Sequence, residues 1–216
     1  SPIDAIEIAK EIPDEAYVLW EMFSPGPLTL VLNKKSIIPD IVTAGYQTVG
    51  IRIPNNEIAL SLISKSGLPL AAPSANLSGR VSPTEAIHVY KDLNGRIPLI
   101  IDGGRCNIGI ESTVLDLTKN TPTILRPGFI SPEQIAERIG NVINHKGDIV
   151  RVESPGMKYS HYMPICPCVS ALTTGSACEL YDKNENAVIL GTNSFIESCG
   201  NRAVVSLGDT PDDCMK

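Results

Sequence analysis

The stretch Gly67-Leu68-Pro69-Leu70-Ala71-Ala72-Pro73-Ser74-Ala75-Asn76-Leu77-Ser78-Gly79 decides the fold class. Leu68 to Ala72 is apolar on both faces and ended by proline, the pattern of a short buried strand. Behind it comes a burst of small residues with hydroxyl and amide groups, Ser74, Asn76 and Ser78, and Gly79 closes the turn. Strands ending in such loops hold anionic ligands in α/β proteins, because small side chains admit the backbone and the N–H and O–H groups donate to oxygens. From chemistry alone, an ordinary strand-to-helix loop is an equal alternative.

Around this stretch, helical and extended patterns alternate. Ser1-Pro2-Ile3-Asp4 has the N-cap serine, early proline and early acid of a helix start, and Asp14 to Phe23 reads as a second helix broken by Pro25-Gly26-Pro27. Strands are expected at Thr29 to Asn33 and Thr48 to Ile53. A helix capped by Asn55 or Asn56 should carry Ile58, Leu62 and Ile63 on one stripe and end at Gly67. Ser82-Pro83-Thr84-Glu85 and Ser131-Pro132-Glu133-Gln134 are capping boxes for helices ending near Asn94 and at Gly140. Further strands are expected at Pro98 to Asp102, Ser112 to Leu117 and Thr123 to Leu125, so the sheet should be mixed rather than purely parallel. Residues 145–166 lack periodicity, as a linker does. Beyond them, strands at Ala187 to Leu190 and Ala203 to Leu207 flank a weak helix near Ser194 to Cys199, one β-α-β unit. The expected division is a first domain over 1–144, a linker over 145–166 and part of a second domain over 167–216.

With 216 residues, 43% of them hydrophobic and 19% charged, the chain can bury a sizeable core. A net charge of −6 argues against an extended nucleic-acid-binding face. No apolar run approaches bilayer length, so no membrane association and a cytoplasmic location are expected. Five of the six cysteines follow residue 165, and Cys166-Pro-Cys168 has the wrong gap for a zinc knuckle. Reduced thiols and no metal site are expected. His88 and His145 read as structural or solvent-facing, and Glu111 and Asp116 as edge or turn acids rather than a catalytic pair.

Six stretches, taken together in order, resemble the YrdC-like threonylcarbamoyl-AMP synthases. They are Ser24-Pro25-Gly26-Pro27-Leu28-Thr29, Thr48-Val49-Gly50-Ile51-Arg52-Ile53-Pro54, Pro73-Ser74-Ala75-Asn76, Glu111-Ser112-Thr113-Val114-Leu115-Asp116, Ile124-Leu125-Arg126-Pro127-Gly128 and Ser154-Pro155-Gly156-Met157-Lys158-Tyr159-Ser160-His161-Tyr162-Met163-Pro164. The last is similar to the linker of the two-domain form. The resemblance covers residues 1 to about 165 well and the rest by position only. It implies a YrdC-like twisted mixed sheet with flanking helices, the linker, and the start of a small Rossmann-like second domain.

The implied activity joins L-threonine, bicarbonate and ATP, with Mg²⁺ accompanying the nucleotide, to give threonylcarbamoyl-AMP and pyrophosphate. This is the first step of the threonylcarbamoyl modification of the adenosine beside the tRNA anticodon, and a downstream threonylcarbamoyl transferase complex would take the product. Displacement at phosphorus calls for positioning and charge neutralisation rather than a covalent nucleophile, so no residue is assigned a catalytic role. By resemblance, Arg52, Ser74 and Ser112 would contact threonine. Thr48, Asn76, Thr84, Arg126, Tyr159 and Tyr162 would contact ATP, and Tyr159, His161 and Tyr162 would gate the site from the linker. A bidentate guanidinium at Arg52 suits the threonine carboxylate. The family's Lys-x-Arg cluster is expected upstream of Ser1, which makes the chain a fragment expected to be inactive alone. Competing readings are the carbamoyl-adenylate-forming YrdC-like domain of hydrogenase maturation, a double-stranded-RNA-binding module, which the acidic balance disfavours, and an interaction unit with no ligand.

Overall fold

Leu28, Leu30 and Leu32 alternate with Thr29 and Val31, and this period of two decides which face of the sheet is filled. The computed structural model describes residues 2–144, 166–210 and 213. The chain forms two compact units, one of Ser1–Cys106 with Ile110–Tyr162 and one of Asn107–Gly109 with Met163–Lys216.

The first unit opens with a 3-10 turn at Pro2–Asp4, α1 (Ala5–Ile8) and α2 (Asp14–Phe23), followed by β1 (Leu28–Asn33), β2 (Thr48–Ile51), α3 (Glu57–Ser66) and α4 (Ala86–Leu93). β3 (Thr113–Asp116), β4 (Thr123–Arg126), α5 (Pro132–Ile139) and β5 (Ile143–Asn144) complete it. The sheet order is β2-β1-β3-β4-β5. β1 runs antiparallel to β2 and parallel to β3, β3 antiparallel to β4, and β4 parallel to β5, so the sheet is mixed as expected. On one face Leu28, Leu30, Leu32, Leu115 and Ile124 pack with Ala16, Leu19 and Trp20 of α2 and with Ile135 of α5. The other face carries a small apolar group, Val31, Val114 and Leu125. The Ser131 capping box forms in full: Ser131 Oγ accepts from Gln134 N, and Gln134 Oε1 accepts from Ser131 N.

Three expectations need correction. Leu68 to Ala72 forms no strand; it runs as irregular chain with Leu68 66% exposed, because no neighbouring backbone completes its ladder. Pro98 to Asp102 likewise stays unpaired, with Leu99 70% exposed. The helix after Asn56 forms as expected, with the Asn56 side chain accepting from Ala59 N and Gly67 in the left-handed region; Ile58 and Leu62 on its stripe are exposed. Ser82 does not cap a helix: its hydroxyl donates to Glu111 Oε1 at 2.8 Å, and α4 begins at Ala86.

The second unit holds α6 (Thr174–Asp182), β6 (Ile189–Gly191), α7 (Asn193–Ile196), a 3-10 turn at Glu197–Cys199 and β7 (Val204–Ser206). β6 and β7 pair in parallel, the expected β-α-β unit. α6 is an addition to the sequence reading, capped by Thr173 and Ser176. Of the expected linker only Cys166 lies within the described residues, and Ser1 lies outside them.

Candidate functional site

The alternation that puts Leu30 and Ile51 on one face sends Thr29 and Arg52, the residue that follows β2, to the other. Val114 pairs with Thr29 on one side and with Arg126 on the other, so Arg126 shares that thinly covered face. Ser112, two residues before Val114, does too. Arg52, Thr29, Ser112 and Arg126 therefore come from four neighbouring segments at one end of the sheet. The strands bearing the two arginines are three spacings, about 14 Å, apart, a gap that two long side chains can close.

Direct contacts tie the row together. Thr29 Oγ1 and Ser112 Oγ are 2.8 Å apart. Arg126 donates from Nε and Nη2 to the Ser112 carbonyl oxygen at 3.1 and 2.9 Å, and from Nη2 to Ser112 Oγ at 3.1 Å. Ser112 is only 4% exposed, so these bonds satisfy polar atoms that solvent barely reaches. Burial and, next, the like charge of Arg126 hold the Arg52 guanidinium below its ordinary value, while Cys106 acts in the opposite sense. Arg52 as a residue is exposed, so the neighbouring Arg126 charge is the more informative cause. No carboxylate among the described residues forms an ion pair with either arginine. Two close guanidiniums without a counter-charge, beside two hydroxyls, suit a carboxylate or phosphate.

Two glycines let the loops reach this end. A Cβ at Gly128 would lie 2.4 Å from Thr113 N and 2.6 Å from Glu111 O, so the turn after Arg126 can lie on the chain around Ser112 only without a side chain. A Cβ at Gly26 would meet Phe23 O, whereas Gly26 N donates to Ile53 O and Pro27 O accepts from Thr113 N. Buried Thr113 donates its hydroxyl to Ile130 O at 2.7 Å and accepts from Ile130 N at 3.1 Å.

The other expected residues are placed differently. Thr48 pairs with Asn33, on the same face as Arg52 but four residues along β2, about 13 Å away. Ser74 is exposed. The Asn76 amide donates to Leu77 O and Arg80 O, while its buried Oδ1 has no partner. This loop is held to α4 through Asp92, which accepts from Leu77 N and pairs with Arg80 at 2.5 Å. Thr84 accepts at its carbonyl from Cys106 N, and its own N–H donates to His88 Nδ1. Tyr159, His161 and Tyr162 lie outside the described residues. A shallow depression elsewhere, lined by Glu57, Ile58, Ser61, Leu62, Lys65 and Ile101, contains none of the expected site residues.

Asp116 is a turn acid, accepting from Thr118 N and Oγ1 and pairing with Lys119. Lys34 and Lys35, at the opposite end of β1, bond Asp40, Thr43 and the Ile6 carbonyl. Thr29 and Gly128 were not singled out from sequence. The alternation of β1 was the available signal for Thr29; Gly128 had none beyond its place in Arg126-Pro127-Gly128.

The sheet and its paired arginines define a mixed-sheet α/β protein with a cationic, hydroxyl-lined strand end. The chain belongs to the Sua5/YciO/YrdC family, described as telomere recombination, which matches residues 1–128; residues 130–214 match the threonylcarbamoyl-AMP synthase C-terminal domain. The threonylcarbamoyl-AMP synthase of Pyrococcus abyssi is 51% identical over 161 residues, 73% of this chain and 47% of that protein. The Bacillus subtilis protein of that name is 45% identical over 210 residues, 88% of this chain and 60% of that protein. The crystal structure of P. abyssi Sua5 complexed with L-threonine matches at a TM-score of 0.86 and 40% identity, over 99% of this chain and 65% of that chain. The chain thus spans about half to two thirds of the length of these relatives.

Proposed function

We propose that this chain is part of a threonylcarbamoyl-AMP synthase, forming threonylcarbamoyl-AMP and pyrophosphate from L-threonine, bicarbonate and ATP. The observation that carries the reading is the unneutralised Arg52–Arg126 pair beside the Thr29 and Ser112 hydroxyls. The P. abyssi complex with L-threonine supports an amino acid as one ligand, and the C-terminal domain match favours this reading over the hydrogenase-maturation one. Arg52, with Ser112 and Ser74, would take the threonine carboxylate and hydroxyl. Arg126, Asn76, Thr84 and Thr48 would face the nucleotide, with Tyr159, His161 and Tyr162 closing over it. The carbamate oxygen attacks the α-phosphorus and pyrophosphate leaves, so the protein's part is to orient both reactants and offset charge.

Mg²⁺ belongs to the proposal only as a companion of ATP. The described donor set at the site is cationic and hydroxylic, and Glu111 is engaged by Ser82, so these residues do not fit a protein-held dication. The division into 1–144, 145–166 and 167–216, the cytoplasmic location and transfer of the product to a threonylcarbamoyl transferase complex are part of the same reading. No helix among the described residues is long and apolar enough to cross a membrane.

The test is pyrophosphate release from ATP with threonine and bicarbonate, run on this chain and on a version extended upstream. Lys34 and Lys35 are engaged by Asp40, Thr43 and the Ile6 carbonyl, so the proposal assigns neither of them to the triphosphate. Threonine-dependent turnover is expected in the extended version and little in the chain alone. Absence of threonine-dependent turnover in the extended version would overturn the assignment.

A further inference from the structure

The second unit places two thiols together that the proposed reaction does not use. Cys178 sits in α6 and Cys199 ends the 3-10 turn after α7; both are free, Cys199 is fully buried and Cys178 half-buried. They pack in one apolar cluster with Ala177, Ile189, Tyr181 and Phe195. The Cys199 thiol donates to the Phe195 carbonyl at 3.6 Å, and burial, then the neighbouring Cys178 thiol, push it up.

The two elements bearing them are clamped. Arg202 donates from Nη1 to the Cys199 carbonyl at 2.8 Å, and from Nε and Nη2 to the Asp182 carboxylate at 2.9 and 2.7 Å. Asp182 lies one helical turn beyond Cys178 on α6, so one guanidinium fixes Cys178's helix to Cys199's backbone. The Tyr181 hydroxyl accepts from Ala203 N at 3.0 Å and adds a second tie.

We infer that Cys178 and Cys199 form a dithiol site that closes to a disulfide within the second unit by exchange with a small-molecule disulfide. The half-buried Cys178 attacks one sulfur of the incoming disulfide as its thiolate, forming a mixed disulfide and releasing one small thiol, which carries the proton Cys178 gave up. Cys199 then attacks the Cys178 sulfur, loses its proton and displaces the second small thiol. Two protein thiols are oxidised and one small disulfide is reduced to two thiols. The buried, clamped Cys199 is the resolving partner because no small disulfide reaches it first.

The test uses the full chain with Cys106, Cys166, Cys168 and Cys214 changed to serine, leaving only the pair. It is incubated with oxidised glutathione and mapped as unreduced peptides. The expected product is a Cys178–Cys199 cross-link within one chain, lighter by two hydrogens, carrying no glutathione and reversed by dithiothreitol. Adding C199S should trap one glutathionyl group on Cys178. A persistent glutathionyl adduct on Cys178 with Cys199 intact, two unreacted thiols, or a cross-link between chains would overturn the inference. The map of the pair-only chain decides this even if C199S does not fold.

Discussion

Arg126 gives both its Nε and an Nη2 hydrogen to one acceptor, the carbonyl oxygen of Ser112, at 3.1 and 2.9 Å. That fork fixes the guanidinium plane against the start of β3, and the second Nη2 hydrogen reaches Ser112 Oγ. The two Nη1 hydrogens have no protein partner among the described residues. A guanidinium held in this way, with hydrogens left over, has the geometry that suits an anion, and its orientation is set in advance.

Arg126→Lys should therefore fail although it keeps the charge. An ammonium cannot bond the Ser112 carbonyl and present a planar edge at once. Losing a charge-assisted bond of about 1.5–3 kcal/mol should weaken nucleotide or threonine binding roughly tenfold to a hundredfold. Titration calorimetry on the upstream-extended protein checks it; affinity equal to the parent would remove the fork from the site.

Arg52→Gln separates function from stability. Its guanidinium lies near Arg126, two like charges with no carboxylate between them, so removing one relieves repulsion. Unfolding free energy in low salt should stay the same or rise, within about 1 kcal/mol for so exposed a group. Threonine affinity should fall at least tenfold, roughly what one charge-assisted bond contributes. A clear loss of stability with unchanged affinity would make Arg52 a structural residue.

Gly128→Ala tests the close approach beneath the site. The added Cβ would sit 2.4 Å from Thr113 N, against backbone that cannot swing aside as a flexible side chain can. The expected cost is about 3 kcal/mol or more, read by urea denaturation, because β4's exit must lift off β3's entry. A loss below about 1 kcal/mol would mean the turn relaxes freely.

Local signals that act within a few residues were legible in the sequence. The Ser131 box, the Asn56 cap with Gly67, and the alternation of β1 each need only their own neighbours. Leu68 to Ala72 and Pro98 to Asp102 have the composition of strands, but a strand exists only with a hydrogen-bonded partner, and composition does not name one. The Ser82 box matched its pattern, yet a distant carboxylate, Glu111, took its hydroxyl. α6 escaped notice because Gly175 and Ser176 weaken its propensity and serine stands where Glu or Gln marks the N3 position. At the site, Arg52, Ser112 and Arg126 were named by motif, but their convergence follows from strand order, which no single stretch encodes.

Asp92 makes the loop carrying Asn76 sensitive to acid. The bond from Leu77 N, with Arg80's hydrogen bond and charge, holds its carboxyl below the ordinary range. A carboxylate so depressed contributes in full above its unfolded value of about 4, and the contribution is lost as pH falls through the lower folded value. The Leu77 amide should show a high exchange protection factor near pH 6 that drops toward pH 3. Asp92→Asn should show the low value throughout. Equal protection in parent and variant at both pH values would detach Asp92 from the loop.

Thr113→Val tests the lock that sets the Arg126 turn against β3. The Thr113 hydroxyl is buried, gives its hydrogen to Ile130 O and takes one from Ile130 N. Valine keeps the shape but leaves that carbonyl and that N–H unpaired, and each unsatisfied buried group costs about 1–3 kcal/mol. A total near 2–4 kcal/mol is expected, less than the sum because the turn can shift to admit water. Serine restores both bonds and loses one methyl, so Thr113→Ser should cost about 1 kcal/mol. The shift also predicts a functional trace: with Ile130 released, the segment through Gly128 loosens and Arg126 loses its fixed approach to Ser112. Threonine-dependent pyrophosphate release in the extended protein should fall in the valine variant and be retained in the serine variant, at temperatures where both are folded. Equal activity in the two would show that Thr113 stabilises the sheet without positioning Arg126.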